Sequence, residues 1–160
     1  MRKEKEYLVN KLKEAGINGN VFTSLKRMEM SHDLRMAGVM VSGEVLTRSG
    51  SKIKYVDEEG RRRSRHKIWK RATKMHVVIG DTTDEKVEIV LEKFLRIIGK
   101  GMVVDQNWVD IEIGELDWVD EKDSILKAKV AVQFDVTFTG GIYTDHLLKT
   151  AEINIIQEVE

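Results

Sequence analysis

The chain has no cysteine and no proline among its 160 residues, and its formal net charge is zero. Without cysteine there is no disulfide framework and no thiolate metal site, which fits a reducing compartment. Without proline, the turns fall to glycine, asparagine and aspartate. A neutral total removes any global pull toward nucleic acid or a membrane surface. Aromatic residues make up only 6% of the chain. No stretch approaches the roughly 20 consecutive apolar residues that cross a bilayer. Residues 1–14, MRKEKEYLVNKLKE, are charged throughout and hold no apolar segment of signal-peptide length. The expectation is therefore a chain with no membrane contact.

What is present is enough for a core. The hydrophobic share is 41% and the charged share 34%, over a length that suits one domain with arms. Residues 2–15 read as a helix with Tyr7, Leu8, Leu12 and Ala15 on one stripe, stopped at Gly16. Asn18-Gly19 signals a turn, and Leu25, Met28 and Met30 read as a strand. Residues 34–56 read as β-rich, broken by Gly38, Gly43 and Gly50. Met75 to Ile79 reads as a short apolar strand. The surest helix covers about 83–98. Val87, Val90, Leu91, Phe94, Leu95 and Ile98 recur at helical spacing, after a capping box formed by Thr82 and Glu85. Gly99-Lys100-Gly101 ends it. Val109, Ile111 and Ile113 alternate with Asp110 and Glu112. Val130, Val132, Phe134, Val136 and Phe138 alternate with polar or small residues. Both patterns are half-buried strands. Read from Ser124 to Thr139, the second is about 50 Å long at ~3.4 Å per residue, which requires either a bend at a bulge or a first half that projects from the body with Trp118 and Ile125, and Gly140-Gly141 breaks it. Ile153 and Ile155 suggest a last edge strand. Together these elements predict an α+β domain spanning 1–160. Its antiparallel β-sheet carries two helices on one face, with an extended, basic β-hairpin arm at about 47–74.

No catalytic constellation assembles from the spacing. His32, His66, His76 and His146 make neither HxxxH nor HExxH. Asp33, Asp81, Asp105, Asp110, Asp117 and Asp120 fall mostly at turns or on polar strand faces, where a cap or a solvated face accounts for them. The glycines form neither GxGxxG nor a phosphate-binding loop, and no serine sits in GxSxG. The expectation is no enzyme, no metal and no cofactor.

The sharpest local signal is the basic run Arg61, Arg62, Arg63, Arg65, Lys67, Lys70 and Arg71, with Trp69 inside it. It has three readings: a solvated hairpin face, a phosphate-contacting surface, or a protein-docking surface. The stretch 105–123 is almost wholly acidic in its charges, with Asp110, Glu112, Glu115, Asp117 and Asp120. Two opposite segments in a neutral chain suit complementary patches on neighbouring copies. Trp108 and Trp118 flank a strand. The commoner fate of tryptophan is core or sheet-end packing, but Trp118 on a projecting hairpin becomes an interface anchor candidate, as does Trp69.

At the helix VEIVLEKFLRII and the strand pair NWVDIEIGELDWVDEKDSILKAKVAVQFDVTFTGGIY, the chain resembles the small tail-completion proteins of long-tailed phages, the tail terminators or head–tail joining proteins. The likeness covers roughly 70–160, and the first half in layout. That family has no invariant motif, so no functional residue transfers by position. The resemblance implies a virion structural protein at the tail–neck junction, assembled in the host cytoplasm. It implies a ring, usually hexameric, that caps the tail tube, stops its polymerisation and presents a surface to the neck or capsid connector. In a contractile tail it also anchors the last layer of sheath. DNA passes through its centre, and a headless, tail-like particle needs the same cap. The alternatives are another tail or neck subunit, such as a tube or connector protein, and a nucleic-acid-binding module that uses the basic arm.

Overall fold

The computed structural model of the chain describes residues 1–120 and 130–148, with only the backbone at Asp120. The expected strand start at Ser124 and the edge strand at Ile153 and Ile155 lie outside the described residues. The chain divides into two compact units. One is Met1–Leu46 with Arg71–Gly140, and the other is Thr47–Lys70 with Gly141–Glu160.

The fold is mixed α+β with a largely antiparallel sheet. In chain order the elements are α1 (Lys3–Glu14), β1 (Val21–Phe22), α2 (Leu25–Glu29), β2 (Met36–Arg48), β3 (Lys52–Val56), β4 (Arg62–Asp81), α3 (Asp84–Ile97), β5 (Gly101–Val104), β6 (Asn107–Ile113), β7 (Asp117–Asp120) and β8 (Val130–Leu147). The strand order is β1-β2-β4-β8-β6-β5, with β7 also on β8 and β3 on β4. β1 runs parallel to β2, whereas β5–β6, β6–β8 and β7–β8 are antiparallel.

In the first unit α3 packs against the sheet. Val87, Val90, Leu91 and Phe94 are buried, and the Phe94 ring lies 5.9 Å from Phe134 of β8. α1 adds Leu8, Val9 and Leu12 to the same cluster, which takes Ala37 and Val39 from β2, Met75, Val77 and Ile79 from β4, and Val132, Phe134, Val136 and Phe138 from β8. Each of these Val, Leu, Ile, Met and Phe side chains contributes about 1.5–3 kcal/mol by leaving water. The alternate residues Met36, Val78 and Ala131 face the other way. They form a second, smaller cluster with Phe22 and Met28, because successive strand side chains point to opposite faces. α1 follows the helix dipole, with Glu4 and Glu6 in its first turn and Lys11 and Lys13 in its last. Gly16 just beyond it takes φ +113°, a left-handed stop that glycine alone adopts freely.

Four local expectations change. Leu25, Met28 and Met30 are not a strand. Leu25 and Met28 lie in the one-and-a-half-turn helix α2 and Met30 caps it, because Met28 must reach the second cluster. The cap of α3 is Thr83, whose Oγ1 accepts from Lys86 N at 3.3 Å, so the capping box of Thr82 and Glu85 does not form. β2 runs unbroken through Gly38 and Gly43, and β8 runs through Gly140 and Gly141 to Leu147. Two of these glycines mark close approach: a Cβ on Gly38 would sit 2.3 Å from Met28 Sδ, and one on Gly141 would sit 2.9 Å from the Trp69 carbonyl oxygen. Met75–Ile79 is the end of a 20-residue strand, since β4 needs few apolar residues where its neighbours are charged.

The second unit is built differently. β3 and β4 pair from Lys52↔His66 to Val56↔Arg62. The turn between them is closed by Asp57 N to Arg61 O at 2.9 Å and Gly60 N to Asp57 O at 3.0 Å. Gly60 takes φ +78°, again a position for glycine. Among its described residues only Ser64 is buried.

Candidate functional site

The basic run does not stand open as the sequence suggests. Asp57 Oδ2 accepts from Arg61 Nε at 3.0 Å and from Arg63 Nε at 2.6 Å, while its Oδ1 accepts from the backbone N–H groups of Glu59 and Arg61. Arg61 also pairs with Glu59 at 2.7 Å. The Arg63 hydrogen bond, helped by Arg61, lowers the Asp57 carboxyl to about 2. Arg65 grips Asp145 of β8 with two bonds, at 2.7 and 2.9 Å, and lies over the Tyr55 ring at 5.0 Å. A bidentate guanidinium–carboxylate pair fixes both direction and distance. It holds Asp145 below the usual carboxylate range and raises Arg65. Lys67 sits 5.6 Å from the Tyr143 ring, and Arg48 covers Trp69 at 4.1 Å. Trp69 is thus a half-buried stacking partner within its own chain. Arg71 falls in the first unit, where Glu44 takes it together with Arg2 at 3.0 Å and the Thr73 hydroxyl at 3.0 Å. Arg62 and Lys70 remain exposed, with no carboxylate partner among the described residues.

The hairpin register sorts these cations by face. Lys52 lies opposite His66, Lys54 opposite Ser64 and Arg62 opposite Val56, so even-numbered residues share a face. Lys52, Lys54 and Arg62 are on it. Arg63 and Arg65, the internally paired arginines, are on the other. Burial, followed by Lys52 and His146, lowers the pKa of His66, whose ring meets that of His146 edge to face at 5.1 Å. A shallow cleft of about 280 Å³ is lined by Lys54, Tyr55, Val56, Arg62 and Leu148.

The acidic residues are also sorted by strand alternation. Asp110 lies opposite Thr139, Glu112 opposite Thr137 and Asp117 opposite Gln133. All share the β8 face that carries Asp135, opposite the face against α1 and α3. Asp110, Glu112, Glu115 and Asp117 are exposed, and among the described residues none makes an ion pair with lysine or arginine. Asp110 accepts from Trp108 Nε1 at 2.8 Å, and Asp117 from Gln133 Nε2 at 2.9 Å. Asp135 faces His76 Nδ1 at 3.0 Å. A cleft of about 400 Å³ is lined by His76, Glu115, Leu116, Asp117, Gln133, Phe134 and Asp135. The backbone of Asp120 pairs with Val130, and its side chain lies outside the described residues.

Two features of this face escaped the sequence reading. Trp108 is 56% exposed and so is not core, while the anchor candidate Trp118, 43% exposed, lies opposite Val132 on the other face. Trp108 shares the acidic face with Asp110, and a Cβ on Gly101 would lie 2.3 Å from its ring. Its even spacing from Asp110 and Glu112 was the available signal. The pairing of His76 with Asp135 spans 59 positions and has no local signature. Among the described residues, no group of three or more histidine, aspartate or glutamate side chains is placed to hold a metal ion, and no helix is long and apolar enough to cross a membrane.

No family model matches the chain, and no curated protein matches it.

Proposed function

We propose that the chain is a structural subunit of the tail-terminator class, working by assembly and not by catalysis. In this reading α1 and α3 form one layer on the sheet and the β3–β4 hairpin is an arm. Copies join head to tail into a closed ring, hexameric in the family it resembles. The ring caps the tail tube, stops tube growth and meets the neck or head–tail connector. It also anchors sheath where the tail is contractile, and DNA passes through its centre. The site of action is the virion tail–neck junction, after assembly in the host cytoplasm.

One observation carries the reading: the second unit has a paired hairpin and, among its described residues, almost no core of its own. Ser64 is its single buried residue among those described, while Ile53, Val56, Ile142 and Leu147 are exposed. Apolar side chains left in water on charged, core-poor strands favour a unit that completes its packing in an assembly. Arg61, Arg63 and Arg65 are spent on Asp57, Glu59 and Asp145, which withdraws three cations of the run from a nucleic-acid reading. The test is to locate the tagged protein on purified tails by electron microscopy. A single ring at one tube end is the expected result. Repetition along the tube would make it a tube subunit, and absence from particles would reject the reading.

A further inference from the structure

We infer that the acidic face formed by β6, β7 and β8 is the docking surface for the cationic hairpin face of a second copy of this chain. The inference deepens the ring reading and rests on it for the presence of that copy. Its basis is an imbalance in charge pairing. Asp57, Asp81, Asp145 and Glu44 are each satisfied by an arginine of their own chain. Among the described residues Asp110, Glu112, Glu115 and Asp117 have no such arginine or lysine, and Asp135 pairs with His76. Carboxylates gathered on one face repel one another, and a cationic partner relieves that cost.

The counterpart lies in the second unit. Its described residues hold nine lysines and arginines against four aspartates and glutamates. The excess is not spread evenly. Arg63 and Arg65 spend their charge on one face of the hairpin, whereas Lys52, Lys54 and Arg62 stand on the other without a carboxylate among the described residues. Each surface is therefore a single strand face, of opposite sign. Each has a shallow cleft with an exposed apolar neighbour: Leu116 on the acidic side, Val56 and Leu148 on the basic side. Trp108 at the acidic face offers a ring to a lysine or arginine. Because the surfaces differ, the contact is heterologous and propagates from copy to copy until rotation closes it.

Charge exchange tests this. One variant carries Asp110→Lys, Glu112→Lys and Asp117→Lys, and the other carries Lys52→Glu, Lys54→Glu and Arg62→Glu. Both sets of positions are exposed, and circular dichroism checks that each variant keeps the wild-type fold. Sedimentation velocity at low salt should show wild-type self-association, a loss of about tenfold or more for each variant alone, and recovery when the two are mixed. In the mixture every contact again joins opposite signs. A wild-type monomer under these conditions overturns the inference, as does a mixture that stays dissociated or a pair of variants that associate like wild type. Hairpin reversal that abolishes binding to duplex DNA but leaves self-association unchanged also overturns it. The two readings fail separately. Capping rings that tolerate both variants remove this contact and leave the cap, while recovery on mixing from a protein absent from particles keeps the contact and removes the cap.

Discussion

At the scale of single residues, Asp57 shows how the hairpin manages its own charge. It accepts four hydrogen bonds, two from arginine side chains and two from turn amides. Its carboxyl is held at about 2, chiefly by Arg63, against about 3.9 in an unfolded chain. A depressed carboxylate contributes stability that is present above the unfolded value and lost as pH falls through the folded one. The turn amides of Glu59 and Arg61 should therefore lose protection between about pH 4 and pH 2. A carboxyl titration followed by NMR should find the midpoint near 2 in the wild type and closer to 3.9 in Arg63→Gln; an unmoved midpoint would contradict the assignment. Glycines make a second residue-scale contrast. A Cβ on Gly101 meets the Trp108 ring at 2.3 Å and the Val109 carbonyl oxygen at 2.6 Å, while one on Gly43 meets nothing within 4 Å. Gly101→Ala should lower stability by about 1–3 kcal/mol, whereas Gly43→Ala should be neutral or slightly stabilising. Urea midpoints separate them, and equal midpoints would refute the packing argument. The arginine run itself was legible in the sequence, but its partners were not, because Asp145 lies 80 positions from Arg65 and only β8 returning beside β4 brings them together.

At the scale of elements, α3 is the strongest link between pattern and packing. Phe94 is fully buried in the cluster that joins both helices to the sheet, whereas Ile89 on the same helix points to solvent. Phe94→Ala should cost about 3–5 kcal/mol, and Ile89→Ala about 0.5 kcal/mol or less, as read from denaturant unfolding. Similar losses for both would mean that α3 packs otherwise. This helix was legible because 14 residues give four repeats of one stripe, and β6 and β8 because a strict period of two admits one reading. The misses have a common cause in elements too short or too plain to carry a period. α2 has five residues. β5 is four residues, of which the sequence pattern assigns only Gly101, as a helix stop, and pairing with β6 makes them a strand. Glycine read as a break misled in β2 and β8, where neighbours already hold the backbone and a missing side chain makes room.

At the scale of the whole molecule, the two units should differ in how they open. The first owns the main cluster and the second owns strand pairing and ion pairs around Ser64. Local opening costs least where few apolar contacts are broken. Amide exchange should therefore be faster across residues 52–56 and 62–68 than across β6 and the Val130–Phe138 part of β8. Equal protection would show that the hairpin is stabilised by more than its described contacts. The α+β class was legible from the sequence, while the division of charge into a spent face and an unspent face needed the register. That register also limits how the protein can change. β8 writes the core on Val132, Phe134, Val136 and Phe138, and the acidic face on Gln133 and Asp135 between them. Losing one residue there would exchange the two sets and invert the molecule. Length in this strand is consequently frozen, and a lineage that adapts to a new neighbour has to do so by substitution at the outward positions or by growth at the hairpin turns.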